Sequence, residues 1–108
     1  MKKKSVKAYV AETGKCPYEE RANGLSKRKK SLVSSYIDKV SRGGSKNNIR
    51  SLKEGLFEIK ISSEGGLRVY FGEDGNSLIL LLIGGDKGSQ KRDIIRARNL
   101  WSEYGKQK

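Results

Sequence analysis

Leu56-Phe57-Glu58-Ile59-Lys60-Ile61 and Leu67-Arg68-Val69-Tyr70-Phe71-Gly72 are the stretches on which the fold turns. Each alternates. Phe57, Ile59 and Ile61 fall on one side of a strand, and Glu58, Lys60 and Ser62 on the other. In the second run Val69 and Phe71 point inward, with Arg68 and Tyr70 outward. Two period-2 runs joined by a segment ending in Gly65-Gly66 read as an antiparallel hairpin. A three-residue loop at Ser63-Glu64-Gly65 puts Ser62 opposite Gly66, Lys60 opposite Arg68 and Glu58 opposite Tyr70. Asp74-Gly75 is a turn signal into Ser77–Ile83, whose unbroken apolar run marks a strand buried on both faces.

Working outward, Val6, Ala8 and Val10 alternate with Lys7 and Tyr9 as a first strand, ended by Thr13-Gly14. Pro17 opens a short helix through Asn23, which Gly24 breaks. Leu32, Val33, Tyr36, Ile37 and Val40 recur at helical spacing and put one apolar stripe on a helix from Ser26 to Ser41, stopped by Gly43-Gly44. Residues 45–55 read as a polar connection. Gly84-Gly85 ends the buried strand, and Ser89 caps a last helix to Tyr104. Ile94, Ala97, Trp101 and Tyr104 line one face of it, with Trp101 and Tyr104 as core and docking residues. The expected architecture is α+β in the order βααβββα. It has one antiparallel-rich sheet of about four strands, two N-terminal helices and a C-terminal helix, all within one domain over 1–108. Helices cover one face of the sheet, leaving the other polar and concave.

The chain carries 24 Lys and Arg against 12 Asp and Glu, a formal net charge of +12. Self-repulsion of this size destabilises the compact state, so a polyanionic partner is its natural explanation: nucleic acid first, an acidic protein second. Residues 1–55 hold 15 of the basic and 5 of the acidic residues, so the first half is the electrostatic footprint. The charges opposite the apolar stripe of the second helix, Lys27, Arg28, Lys30 and Lys39, each also fit an ordinary solvated face. One cysteine, Cys16, precludes an intrachain disulfide and suits a reducing, cytoplasmic setting. The absence of histidine and of any cysteine cluster excludes a classical zinc site. The apolar run of six residues, Leu78–Ile83, is too short to span a membrane. No small-molecule cofactor is expected either.

The hairpin register holds the chemistry. From alternation alone, Glu58, Lys60, Arg68 and Tyr70 read as the solvated face of a half-buried sheet. Yet two cations directly opposed cost a few tenths to about 1 kcal/mol, which a phosphate held between them would offset. Arg68 offers a planar fork for phosphate oxygens and Lys60 a mobile point charge. Lys87, Lys91 and Arg92 lie at the start of the last helix, whose free backbone N–H groups attract anions. The run Gly84–Lys91 is therefore an expected second wall of the site. It lacks the spacing of a P-loop.

These same stretches, with the segment Gly84-Gly85-Asp86-Lys87-Gly88-Ser89-Gln90-Lys91-Arg92-Asp93-Ile94, resemble the phage-derived Gp49-like, or HigB-like, addiction-module killer proteins of the RelE/ParE toxin superfamily. Gly14-Lys15-Cys16-Pro17-Tyr18 and the closing Ala97–Tyr104 segment extend the likeness over nearly the whole chain. The resemblance implies the RelE fold. It also implies a type II toxin that enters the ribosome and cleaves mRNA by attack of a 2′-hydroxyl on the neighbouring phosphate, until a cognate antitoxin blocks it. That antitoxin would be an adjacently encoded helix-turn-helix protein. A toxin of this kind aligns the hydroxyl, stabilises the charge on phosphate and moves protons. By resemblance Arg68 and Lys87 hold the phosphate. Lys60 serves as general base or as a further cation, Glu58 is the alternative base, and Tyr70 orients RNA. Lys27, Arg28, Lys30, Lys53, Lys91 and Arg92 complete the expected RNA contacts. Two departures stand out: Arg21 occupies a position where the family often has a large aromatic, and the chain has no histidine, which some members use. Alternatives of the same superfamily and charge are a ParE-like DNA gyrase inhibitor without nuclease activity and a non-enzymatic RNA- or ribosome-binding protein.

Overall fold

The computed structural model describes residues 3–44, 46–63, 65–75 and 78–107. The expected loop position of Glu64, the expected strand start at Ser77 and the terminal residues 1, 2 and 108 lie outside them. The chain runs β1 (Ser5–Ala8), α1 (Pro17–Ala22), α2 (Lys27–Ser41), a 3₁₀ turn (Lys46–Asn48), β2 (Ile49–Ser51), β3 (Leu56–Ile61), β4 (Leu67–Asp74), β5 (Leu78–Gly85) and α3 (Gln90–Lys106). The α+β class holds, with one sheet and three helices. The sheet, however, has five strands in the order β1-β5-β4-β3-β2, where about four were expected. It is mixed: β1 runs parallel to β5, and every other pair is antiparallel. The added strand, β2, lies in the predicted polar connection. It is three residues long with a single apolar side chain, too little to produce an alternation signal.

The hairpin register is as the alternation predicts, with Lys60 opposite Arg68 and Glu58 opposite Tyr70. On the other side of β4 a bulge between Tyr70 and Phe71 leaves Leu82 unmatched in β5. Leu82 and Ile83 consequently both join the cluster beneath α3, while Ile79 and Leu81 join the cluster beneath α2.

The one-faced packing expected from the sequence is overturned. Val33, Ile37 and Val40 of α2 pack with Ile59, Ile61, Val69 and Phe71 on one face. Ala97 and Leu100 of α3 pack with Leu56, Tyr70, Leu80 and Leu82 on the other. A strand apolar on both sides, as β5 is, needs cover on both sides, because its exposed face would otherwise forfeit about 25 cal/mol per Å². The second face is thus polar only where α3 does not reach, at the β2–β3 edge.

Two glycines let α3 lie down on the sheet. A Cβ on Gly72 would sit 2.3 Å from the Trp101 ring, and one on Gly85 would sit 1.9 Å from an Asp93 oxygen. The middle of the helix is held through the turn between β2 and β3, where Lys53, Glu54 and Gly55 all take positive φ. Arg98 donates from Nη2 to the Leu52 carbonyl at 2.8 Å, and the Trp101 indole N–H donates to the Glu54 carbonyl at 2.9 Å. These bonds offset two left-handed non-glycine residues, each costing about 1–2 kcal/mol. Trp101 also stacks on Tyr104, ring centroids 5.5 Å apart, so both aromatics serve docking as expected. Among the described residues no helix is long and apolar enough to cross a membrane.

Candidate functional site

The polar remainder of the second face is built around Glu58. Its carboxylate sits on β3 between a strand on each side, and the side chain is only 3% exposed. A buried carboxylate needs partners on both oxygens. Arg50, its register partner on β2, brings Nε to 3.3 Å from Oε1. Gln90, in the first turn of α3, donates from Nε2 to Oε2 at 2.8 Å. Arg68 on β4 places Nε 4.0 Å from Oε2. The Tyr70 hydroxyl is buried beside them with no hydrogen-bond partner among the described residues. Burial first, and the Glu58 carboxylate second, hold that phenol well above its usual range.

Glu58, Lys60, Arg68 and Lys87 line one groove of about 500 Å³, so the four residues proposed for chemistry come together. Asn47, Asn48, Ile49, Arg50 and Gln90 complete its walls. Their exposures differ in a way that alternation does not reveal. Lys60 and Lys87 are exposed. Arg68 is only 6% exposed, and its Nη1 donates to the Gly66 carbonyl at 3.0 Å and the Leu67 carbonyl at 3.3 Å. The outward, solvated placement of Arg68 and Tyr70 is therefore corrected. Arg68 braces its own hairpin through Nη1, and its Nε, buried with no hydrogen-bond partner among the described residues, faces Glu58 across 4.0 Å at the groove wall. Tyr70 is 0% exposed and belongs to the core under α3, with no surface to offer RNA. The physical reason is α3, which covers this end of the face.

The start of α3 also departs from expectation. Ser89 occupies the cap position, but its hydroxyl makes no bond to a helical N–H. It donates instead to Asp93, a buried carboxylate. Asp86 Oδ1 accepts the Ser89 N–H at 3.0 Å, so the helix terminus is occupied by the chain's own anion. That N–H bond, more than any other cause, holds the Asp86 carboxyl below its usual range. Arg21 reaches into this network, with Nη2 donating to Ser89 Oγ at 3.1 Å and Nη1 lying 3.6 Å from Asp93. A cation at position 21 is thereby explained: it compensates a carboxylate 2% exposed.

The remaining basic residues do not converge on the groove. Lys27, Arg28 and Lys30 stand on α2, across the sheet. Lys53 sits in the strained turn facing Trp101, and Arg92 lines a separate depression with Arg21 and Ile95. Lys91 is exposed on α3 outside the groove lining. Of the Gly84–Lys91 wall, Lys87 and Gln90 contribute. Sequence reasoning missed Arg50, and within the expected Gly84–Lys91 wall it gave Gln90 no role of its own. Arg50 rides on the strand too short to detect, and Gln90 carries no charge to draw notice.

In comparisons with known proteins, the model of the phage-derived Gp49-like protein family matches residues 20–101. An uncharacterized protein of Haemophilus influenzae is 36% identical over 78 residues, which is 72% of this chain and 78% of that protein.

Proposed function

Because the chain belongs to the phage-derived Gp49-like family, part of the RelE/HigB-like addiction-module toxin group, we propose that it is a toxin that cleaves mRNA on the ribosome and is neutralised by an adjacently encoded antitoxin. The observation that carries this reading is the groove in which Lys60, Arg68 and Lys87 meet around a single carboxylate. Four cations, counting Arg50, stand against Glu58. The groove is therefore net positive even after its internal ion pairs.

The chemistry asked of such a site is modest. A ribose 2′-oxygen attacks the adjacent phosphorus, the bond to the 5′-oxygen breaks, and the products are a 2′,3′-cyclic phosphate and a 5′-hydroxyl. One proton leaves the 2′-hydroxyl and one arrives on the departing oxygen. Lys60 and Lys87, being exposed, reach the phosphate oxygens and stabilise the added charge. In this reading Lys60 also exchanges a proton at the reacting oxygens. Arg68, held rigid by its hairpin carbonyls, sets the position of the phosphate. Glu58 is too enclosed to meet a substrate proton directly and acts by holding the others.

Induction in cells without the antitoxin, followed by primer extension, tests the reading. Growth arrest with new 5′ ends in translated messages supports it. Arrest with intact messages and accumulated gyrase cleavage complexes overturns it in favour of a gyrase inhibitor, and absence of arrest removes the toxin reading altogether.

A further inference from the structure

We infer that Arg50 forms a second phosphate subsite in this groove, one nucleotide step from the Lys60–Arg68 pair, with Glu58 as the positioning residue that aims it. The inference deepens the RNA-cleaving reading and rests on it for the identity of the ligand.

Among the described groove cations, Arg50 combines wide exposure with a close ion pair to a buried carboxylate. Its side chain is 57% exposed, yet its Nε edge is fixed 3.3 Å from a carboxylate that is itself 3% exposed. A guanidinium carries five donors in a planar fork. Glu58 engages Arg50 through Nε, so the terminal Nη donors of the fork remain to meet a ligand in the groove that Arg50 lines. Glu58 cannot swing off with substrate, because Gln90 holds its other oxygen at 2.8 Å. The arrangement is a fork clamped at its base, which is how planar recognition of a phosphate is made at low entropic cost.

Register gives the spacing. Arg50 pairs with Glu58, and Lys60 pairs with Arg68, two residues further along β3. Two residues along a strand and one strand across is a Cα separation of about 8 Å. That matches successive phosphates of an extended single strand better than two oxygens of one phosphate. Asn47 and Asn48, on the turn leading into β2, stand at the same end of the groove. An RNA strand crossing from Lys87 and Arg68 toward Arg50 would thus meet one subsite per phosphate.

A buried Glu58 would also need Arg50 if the pair were purely structural, so the test separates charge from structure. Arg50→Gln keeps a hydrogen-bond donor for Glu58 and removes the charge. Binding of a short single-stranded RNA, with a 2′-O-methyl group at each position to prevent cleavage, is measured against salt for the full chain. Each lost phosphate contact lowers the slope of log K against log salt by about 0.7. Arg50→Gln is expected to lose about that amount with its melting temperature retained, Arg50→Lys to recover most of it, and Lys15→Gln, far from the groove, to leave it unchanged. An unchanged slope in Arg50→Gln, or an equal loss in Lys15→Gln, overturns the subsite. Because the RNA cannot be cut, wild type that binds it with the full slope but fails to cleave messages elsewhere would defeat the nuclease reading and leave the subsite standing.

Discussion

Lys60 and Arg68 face each other directly across the β3–β4 ladder, but one is exposed and the other is 6% exposed. The two cations avoid the cost of their opposition by division of labour. Arg68 turns its Nη1 to backbone carbonyls and its Nε toward Glu58, while Lys60 stays hydrated. Their removal therefore has different consequences. Arg68→Ala strips a partner from a buried carboxylate and two hairpin carbonyls, a loss on the order of 3 kcal/mol in urea unfolding. Lys60→Ala leaves stability within about 0.5 kcal/mol. Equal destabilisation by both would contradict the division.

The contact of Trp101 with Gly72 makes a second prediction. Gly72→Ala places a methyl 2.3 Å from the indole, so either the ring or α3 must move. The expected cost is about 1–3 kcal/mol. Trp101 is the sole tryptophan, so its fluorescence reports the shift without ambiguity. An unchanged emission maximum with unchanged stability would show that α3 does not dock as described.

Alkaline pH probes the other end of α3. Tyr9 is buried, donates to Glu103 at 2.6 Å and accepts from Gln107 at 3.0 Å. Burial, then the Glu103 hydrogen bond, push its phenol up to about 12, and burial alone does the same for Tyr18. A phenol raised in the folded state favours folding fully below the unfolded value near 10, and that contribution disappears as pH rises through about 12. Stability should therefore fall between pH 10 and 12, and less steeply in Tyr9→Phe. Identical profiles for the two proteins would contradict this.

Much of this was legible in the sequence, for identifiable reasons. Period-2 alternation with Gly65-Gly66 fixes the hairpin register, and the six-residue apolar run identifies β5 as a strand buried on both sides. The same run should have demanded a helix on each face. Lys60, Arg68, Lys87 and Glu58 were brought to one groove by register and chain order together. Burial was not legible. Tyr70 and Arg68 obey the outward phase of β4, but whether outward means solvent depends on where α3 lands, and that is set by Gly72 and Gly85, residues with no side chain to read. Arg50 escaped because its strand has three residues, and Arg21 because its partner Asp93 lies 72 positions away, beyond any local pattern.

RNA cleavage through its own 2′-hydroxyl, proposed for the exposed groove cations, leaves a chemical signature at the cut ends. Purified protein is added to ribosomes halted with a message in the decoding site, and the cut ends are identified chemically. Wild type is predicted to leave a 2′,3′-cyclic phosphate and a 5′-hydroxyl, to fail on a message with a 2′-deoxy residue at the cut, and to slow by on the order of 10²–10³-fold in Lys60→Ala. Cleavage that persists on the deoxy message, or that is indifferent to Lys60→Ala and Lys87→Ala together, would contradict the account.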